Sequence, residues 1–183
     1  MITASQIAPL RGQASDAAKT DQLKADLARL RSERDPLYLT VDEFDRILRW
    51  KLRQQIGRQR IRRSVNTDVV IRSVTGLALT ITHDDPDYQT ELRIGVLRSL
   101  RGVDVAVASA FLALSFPEDY AVVDFRGWRQ VFDEDRRTFS ISDYKRYLWE
   151  IRRLARELGW PAQEVDLAIW EYDRRIGYPT STT

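Results

Sequence analysis

The sequence predicts an all-α fold, a single domain of seven or eight helices in a chain of 183 residues. That length is typical of one domain. Apolar residues recur at the i, i+3, i+4 and i+7 spacing that lines one face of a helix, and capping or helix-ending residues separate these segments. Strand-like runs are nearly absent. Residues 120–123, Tyr-Ala-Val-Val, have no partner run, so we interpret them as an extended connector.

The chain begins with a weakly patterned segment. Residues 1–18 are small and polar, and we expect a flexible arm or a weak helix there. The first clear helix is predicted over residues 21–34. It ends at Asp35-Pro36, because a residue that precedes proline is pushed out of the α conformation.

Two further helices are predicted before the middle of the chain. Thr40 followed by Glu43 is a capping-box pattern, and this helix is expected to run to about Gln59. Asn66 can cap the next helix. The apolar face of that helix is expected to comprise Val69, Val70, Val74, Leu77, Ala78 and Ile81.

The second half of the sequence predicts a helical hairpin at residues 92–116 and a loop at 117–124. Three more helices should follow, at residues 125–132, from Ser140 to Leu158, and after Pro161. The second hairpin helix is almost wholly apolar and rich in small residues, which is typical of a buried helix. The helical domain is thus expected to span residues 19–177, with residues 178–183 as a loose tail.

The composition excludes several classes of functional site. The chain has no cysteine, which rules out a disulfide scaffold, a thiolate metal site and a cysteine nucleophile. His83 is the one histidine, too few for a histidine-based metal centre. No apolar run approaches the ~20 residues of a membrane span. We therefore expect a soluble, cytoplasmic protein without a metal, a cofactor or a membrane partner.

Positive charge is concentrated in one segment. The net charge is only +2, but 25 of the 29 basic residues are arginines. No acidic residue lies between positions 46 and 67, where the basic residues are Arg46, Arg49, Lys51, Arg53, Arg58, Arg60, Arg62 and Arg63. Such a segment creates a local field suited to a polyanion. A solvated helix face in an arginine-rich protein is the equally open alternative.

The most informative segment joins the two helices of the predicted hairpin. A short turn at Gly102 would leave the second helix with free N–H groups at the positive end of its dipole. Such groups bind phosphate without reading base sequence. The residues expected to meet a phosphate here are Arg101, Gly102, Val103, Asp104 and Val105.

Residues 100–108, Leu-Arg-Gly-Val-Asp-Val-Ala-Val-Ala, resemble the helix-hairpin-helix of the DNA glycosylase superfamily that includes endonuclease III and the alkyladenine glycosylases. Asp124 stands 22 residues after Gly102, as the family pattern requires. Trp50-Lys51-Leu52 and residues 165–170 are similar to segments of uncharacterised divergent members. The similarity extends over roughly residues 40–175, and its specific part is the hairpin with Asp124.

The resemblance implies a glycosylase-like fold, a double-stranded DNA partner with a flipped base, and a role for Asp124. In the family this carboxylate stabilises the cationic sugar or activates water as the base departs, the electrostatics of glycoside cleavage. From position alone, Asp124 could equally be the N-cap of the helix that begins at Phe125.

Two positions depart from the family pattern. Ala106 stands where the bifunctional members have their Schiff-base lysine, so the resemblance implies a monofunctional enzyme. Asp104 replaces the second hairpin glycine. Its carboxylate would stand beside the expected phosphate and repel it, unless it turns away to cap the following helix.

Base excision also needs an aromatic pocket for the extruded base. Trp50, Tyr120 and Trp128 are the candidates by position, and ordinary core packing is their alternative role. Along the DNA backbone the basic candidates are Arg49, Lys51 and Arg53.

Three functions remain open at this stage. The first is a monofunctional enzyme that hydrolyses the N-glycosidic bond of a damaged or modified base through Asp124. The second is a DNA-binding module on the same scaffold without catalysis. The third is a protein-interaction domain whose arginines meet acidic partners.

Overall fold

The computed structural model describes residues 1–53, 56, 57 and 63–176, and all regular structure in these ranges is helical. The α-helices are α1 (Ala4–Ile7), α2 (Ala17–Glu33), α3 (Val41–Leu52), α4 (Asp68–Thr80), α5 (Pro86–Leu97), α6 (Val105–Ser115), α7 (Phe125–Phe132), α8 (Ile141–Leu158) and α9 (Ala162–Ile176). A 3-10 helix, Ala8–Leu10, follows α1. The helices share one hydrophobic core. The all-α prediction is confirmed, although the described residues form nine α-helices where seven or eight were expected. In the part of the chain described, no helix combines the length and apolar character needed to cross a bilayer.

Helix α6 lies at the centre of the core. Its residues from Val107 to Ser115 are all buried, and it contacts α2, α3, α5 and α9. Phe111 stacks on Phe44 of α3 with ring centroids 4.8 Å apart. Alanine and serine at the other positions let the neighbouring helices approach closely. The prediction of a buried, small-residue helix is confirmed.

The N-terminal segment contains short helices that pack against the domain, so of the two expectations the weak helix is confirmed and the flexible arm is wrong. Ile7 and Leu10 are buried, and the amide of Ile2 donates to the carbonyl of Gln130 at 2.9 Å. Gln6 donates to the hydroxyl of Tyr172 on α9 at 3.0 Å. Residues 1–18 are mostly polar, so the sequence did not indicate that their few apolar side chains pack against a neighbouring helix.

Helix α3 begins as predicted and ends earlier. The amide of Glu43 donates to the Thr40 hydroxyl, and the Glu43 carboxylate accepts from the amide of Thr40 at 2.8 Å, so the capping box is present. The helix ends at Leu52, and Arg53 has a φ of 47°. Its predicted extension to Gln59, together with Arg58, Arg60 and Arg62, lies largely or wholly outside the described residues, as does the tail 178–183.

Helix α4 has a different cap from the one predicted, and its buried face was predicted only in part. Thr67, not Asn66, accepts the capping hydrogen bond. Val69 and Leu77 are exposed. Thr75 is fully buried instead, because its hydroxyl accepts from the amide of Leu39 at 2.9 Å and donates to the carbonyl of Ile71 at 2.7 Å. Thr75 therefore occupies a core position with its hydroxyl hydrogen-bonded as both acceptor and donor. The apolar spacing of the sequence placed the core positions at other residues.

Gly127 in the first turn of α7 is required by its neighbour on α8. A Cβ at this position would overlap with the hydroxyl oxygen of Tyr147 and lie 3.2 Å from its Cζ. We expect Gly127→Ala to lower the free energy of unfolding by about 1–3 kcal/mol, the usual cost of overpacking. Denaturant unfolding measures this change.

Gly95, an exposed glycine inside α5 with no neighbour near its missing Cβ, is the matched control. Gly95→Ala should stabilise the protein by about 0.5–1 kcal/mol through helix propensity. Tyr147→Phe, which removes the overlapping oxygen, should offset part of the loss in the Gly127→Ala background. Equal losses in both backgrounds would contradict the proposed clash.

Candidate functional site

The helical hairpin consists of α5, a turn at residues 98–104 and α6. Gly102 has a φ of 79°, the left-handed conformation that favours glycine. Leu100 and Val103 are buried and anchor the turn from inside. The turn encloses a hollow of about 400 Å³ lined by residues 98–104, which we call the turn hollow. The sequence predicted this turn at Gly102.

Asn66 clasps the hairpin turn from outside. Its Oδ1 accepts from the amide of Arg101 at 3.0 Å, and its Nδ2 donates to the carbonyl of Arg101 at 2.9 Å. This paired contact joins the segment before α4 to the turn. The buried asparagine therefore positions the hairpin instead of capping a helix.

Asp104 caps α6. Its carboxylate accepts from the amide of Val107 at 2.8 Å, and its backbone is extended with a φ of −93°. It therefore does not adopt the left-handed conformation that a second glycine would allow. Among the described residues no group accepts from the amides of Val105 and Ala106. Val105 is 2% exposed, whereas Ala106 is partly exposed and lines a cavity at the start of α6.

The connector, residues 120–123, is neither helix nor strand, and all four of its residues are buried in the helical core. Its backbone groups are bonded by side chains from several helices. Tyr144 Oη donates to Ala121 O at 2.9 Å, Val122 N donates to Asp166 Oδ2 at 3.1 Å, Val123 N donates to Ser109 Oγ at 3.1 Å, and Lys51 Nζ donates to Val123 O at 3.1 Å. The residue that follows, Asp124, is fixed by these contacts.

Asp124 is the N-cap of α7, and it also faces open space. Its Oδ1 accepts from the amides of Arg126 at 3.0 Å and Gly127 at 2.9 Å. In the described ranges its other oxygen has no hydrogen bond and the carboxylate has no ion pair. Asp124 is partly exposed. The capping role and an accessible carboxylate oxygen therefore coexist.

Asp124 lines a cleft of about 640 Å³, which we call the main cleft. Ala106, at the start of α6, lines the same cleft. Asp104 lines both the main cleft and the turn hollow, so the two cavities meet at the N-terminus of α6. The charged groups of the main cleft include Lys51 and Asp166.

The aromatic lining of the main cleft differs from the predicted set. Trp50 lines it, with its indole N–H donating to Thr20 Oγ1 at 3.2 Å. Tyr120 and Trp128 are 1% and 0% exposed and belong to the core, so neither can stack on a base in this structure. Phe125, Phe139 and Trp170 take their place. Spacing along the chain could not reveal this, because Trp170 arrives from the last helix.

The basic candidates on α3 have different environments. Lys51 and Arg53 line the main cleft. Arg53 pairs with Asp16, and its guanidinium lies 4.8 Å from the Trp170 ring centroid. Arg46 pairs with Asp26. Arg49 is exposed and has no ion pair within the described ranges, so part of the positive charge of this segment is neutralised by acids of the N-terminal region.

Asp166 on α9 is a site residue that sequence reasoning missed. It is 7% exposed and lines the main cleft. Burial, with the neighbouring Asp124 charge, raises the pKa of its carboxyl to about 7, although the Tyr147 hydroxyl and Lys51 act in the opposite direction. The available signal was an aspartate among the buried apolar residues Val165, Ala168 and Ile169 of an amphipathic helix.

Comparison with family models, curated proteins and solved structures finds no match to this chain. Among residues 1–53, 56, 57 and 63–176, no group of three or more His, Cys, Asp or Glu side chains is arranged to hold a metal ion.

The clasp by Asn66 can be tested directly. We expect Asn66→Ala to lower the free energy of unfolding by about 1–3 kcal/mol, because two backbone groups of Arg101 lose their partner. Hydrogen exchange at the Arg101 amide should accelerate more than at amides of α8. The control is Ser99→Ala in the same turn, which removes an exposed hydroxyl bonded only to the Val96 carbonyl. It should stay within about 0.5 kcal/mol of wild type. Unchanged exchange at Arg101 would show that the clasp does not hold the turn.

Proposed function

We propose that this chain is a helix-hairpin-helix DNA-binding protein that hydrolyses the N-glycosidic bond of a damaged or modified base through Asp124. The observation that carries the proposal is the position of Asp124: a carboxylate with an unbonded oxygen lines a cleft of about 640 Å³. That cleft meets the turn hollow of the hairpin at the start of α6.

The binding part of the proposal rests on the hairpin. The unpaired amide of Ala106, on the main cleft, stands at the positive end of the α6 dipole, where a phosphate is favoured. Arg101 is exposed beside them on the turn hollow. These groups recognise a DNA backbone of any sequence, while the adjoining main cleft receives an extruded nucleotide.

The main cleft suits a flat, partly apolar ligand. Its volume lies within the usual range of small-molecule sites, about 300–1,000 Å³. Trp50, Phe125 and Trp170 offer stacking surfaces along its wall. An extruded base could lie among these rings with its sugar beside Asp124.

Hydrolysis of the N-glycosidic bond requires little from the protein beyond an anion held in a fixed position. As the bond between C1′ and the base nitrogen breaks, its electron pair leaves with the base and positive charge develops on the sugar. Asp124 would stabilise that charge and accept a proton from the attacking water, whose oxygen bonds to C1′. The base takes up a proton, so the products are a free base and an abasic sugar. Ala106 supplies no amine for a Schiff base, which favours hydrolysis.

The capping bonds prepare Asp124 for this role. Two backbone amides hold Oδ1 in place, so the carboxylate needs no reorganisation as charge develops.

A non-catalytic DNA-binding module is the second candidate, and Asp104 favours it. Its carboxylate accepts from the amide of Val107 in the first turn of α6, so that this amide is not free to bind a phosphate. It also adds a negative charge beside the expected phosphate. At about 4 Å, like charges repel by up to a few kcal/mol near a protein surface. A hairpin of this kind would hold DNA less tightly than one with glycine there.

Base release by Asp124 is tested with Asp124→Asn, which preserves the N-cap because asparagine caps as well as aspartate. On a panel of modified-base duplexes, we expect wild type to create abasic sites. We expect the variant to lose at least about 100-fold of that rate while still binding the duplex.

Asp104→Asn is the matched control, since it removes the same charge from a capping aspartate in the same cleft. This variant should bind duplex DNA more tightly and retain base release. Equal loss of activity in both variants would mean that cleft charge in general, not Asp124, matters. DNA binding without base release across the panel would favour the non-catalytic module.

Backbone binding predicts a salt dependence. Duplex affinity should fall linearly on a log–log plot against salt concentration, and Arg101→Gln and Arg49→Gln should each reduce the slope by about one. Arg156, exposed in the last turn of α8 and lining neither cavity, is the control position, and Arg156→Gln should leave the slope unchanged. Fluorescence anisotropy measures these slopes. A slope near zero, with retained binding to an acidic polypeptide, would instead support the protein-interaction function.

A further inference from the structure

We propose that Asp166 is a positioning residue for Asp124, holding the backbone that carries it and setting the net charge of the main cleft through its own proton. This inference rests on the proposed glycosylase function, which it deepens by assigning the cleft a second carboxyl.

Asp166 differs from the other buried acids of its helix. Glu171 accepts from Arg174 and Arg175, each at 2.7 Å, and the pKa of its carboxyl is lowered to about 2, first by Arg174. Asp173 pairs with Arg129 at 2.7 Å. Asp166 forms no ion pair within the described part of the chain. A buried carboxyl without a cation partner is costly when ionised, and such groups are concentrated at functional sites.

The hydrogen bonds of Asp166 lead directly to the Asp124 region. Its Oδ1 accepts from the hydroxyl of Tyr147 at 2.7 Å, and its Oδ2 accepts from the amide of Val122 at 3.1 Å. Val122 stands two residues before Asp124 in the connector. Tyr147 in turn packs against Gly127, whose amide donates to Asp124. The two carboxyls are thus linked through both the connector and the first turn of α7.

The charged and titratable groups around Asp166 and along the cleft it lines come from six segments. They are Asp16 before α2, Lys51 and Arg53 at the end of α3, Asp104 at the start of α6, Asp124 and Arg126 at α7, Tyr144 and Tyr147 on α8, and Arg137 in the loop before α8. Burial raises the pKa of both tyrosines, so they remain neutral donors. Lys51 is the cation whose charge acts to lower the pKa of Asp166, and its amino group donates to the carbonyl of Val123.

The proton on Asp166 therefore controls the charge that a DNA strand meets. When Asp166 is protonated, the main cleft carries one negative charge fewer, and Asp124 acts as the anion for the sugar. When Asp166 is ionised, two adjacent carboxylates face an incoming polyanion. DNA affinity should then weaken as the pH rises through about 7.

The experiment compares the full-length wild type with Asp166→Asn, whose amide keeps the shape and can still accept from Val122. The probe is a duplex with a stable tetrahydrofuran analogue of an abasic site. Its affinity is measured by anisotropy from pH 6 to pH 8.5 at constant ionic strength. We expect wild-type affinity to fall roughly three- to tenfold over this range, and the affinity of Asp166→Asn to remain flat. A purely structural role would lower affinity equally at every pH.

A second measurement does not depend on DNA. Carboxyl ¹³C NMR should show Asp166 titrating near pH 7, at lower pH in Asp124→Asn, and at higher pH in Tyr147→Phe, which removes a bond to the ionised form. Tyr147→Phe should also move the affinity change to higher pH, which keeps the test available if Asp166→Asn does not fold.

The outcomes separate the two proposals. Titration of Asp166 below pH 5, or a pH dependence of affinity that persists in Asp166→Asn, overturns the role of Asp166. Coupled titration of the two carboxyls in a protein that neither binds the duplex nor releases any base rejects the glycosylase function and leaves the charge coupling established.

Discussion

The structure depends on satisfying the backbone of one segment that is neither helix nor strand, inside a helical core. A helix provides for its own N–H and C=O groups, but the connector has no strand partner, and its buried groups would each cost about 1–3 kcal/mol if left unpaired. Four side chains from four helices supply the partners: Lys51 from α3, Ser109 from α6, Tyr144 from α8 and Asp166 from α9. The connector therefore ties together helices that are distant in sequence.

The same requirement creates the candidate site. A connector held at both faces delivers Asp124 to a defined position, where two amides of α7 fix one carboxylate oxygen. Polar residues placed in the core for backbone bonding, Lys51 and Asp166, then stand beside Asp124 in the main cleft. The polar side chains that bond the connector backbone are therefore also the polar side chains available to the candidate site.

Local signals in the sequence predicted the helices well and their packing less well. The Thr40 capping box, the Gly102 turn and the apolar segment of α6 each depend on residues a few positions apart, so their patterns were visible directly. The buried face of α4 was predicted only in part. Ala78 is buried and Val74 packs against the core, but Leu77 is exposed, and Thr75 is buried through a hydrogen bond to Leu39, 36 residues away.

The candidate site shows the same limit. Asp124 was found because it follows a spaced motif, whereas Asp166 and Trp170 come from the last helix and join the main cleft only through tertiary packing. Asn66 was interpreted as a cap because asparagine commonly plays that role, yet its partner is 35 residues away. Long-range hydrogen bonds are decided by which helices become neighbours, and no local pattern encodes that.

The main cleft of this arginine-rich chain is mixed in charge, because Asp16, Asp104, Asp124 and Asp166 line it together with Lys51, Arg53, Arg126 and Arg137. Asp16 and Asp26 neutralise Arg53 and Arg46 at the edge of α3, so the acid-free stretch of sequence does not become an uninterrupted basic surface. Asp104 adds a negative charge where the two cavities meet. A polyanion would therefore be attracted by the amides at the start of α6 and by exposed arginines such as Arg49, but repelled near the carboxylates. Under the proposed function, the phosphates would stay at the rim while a neutral ring and a sugar that becomes cationic enter the cleft, as in a nucleotide losing its base.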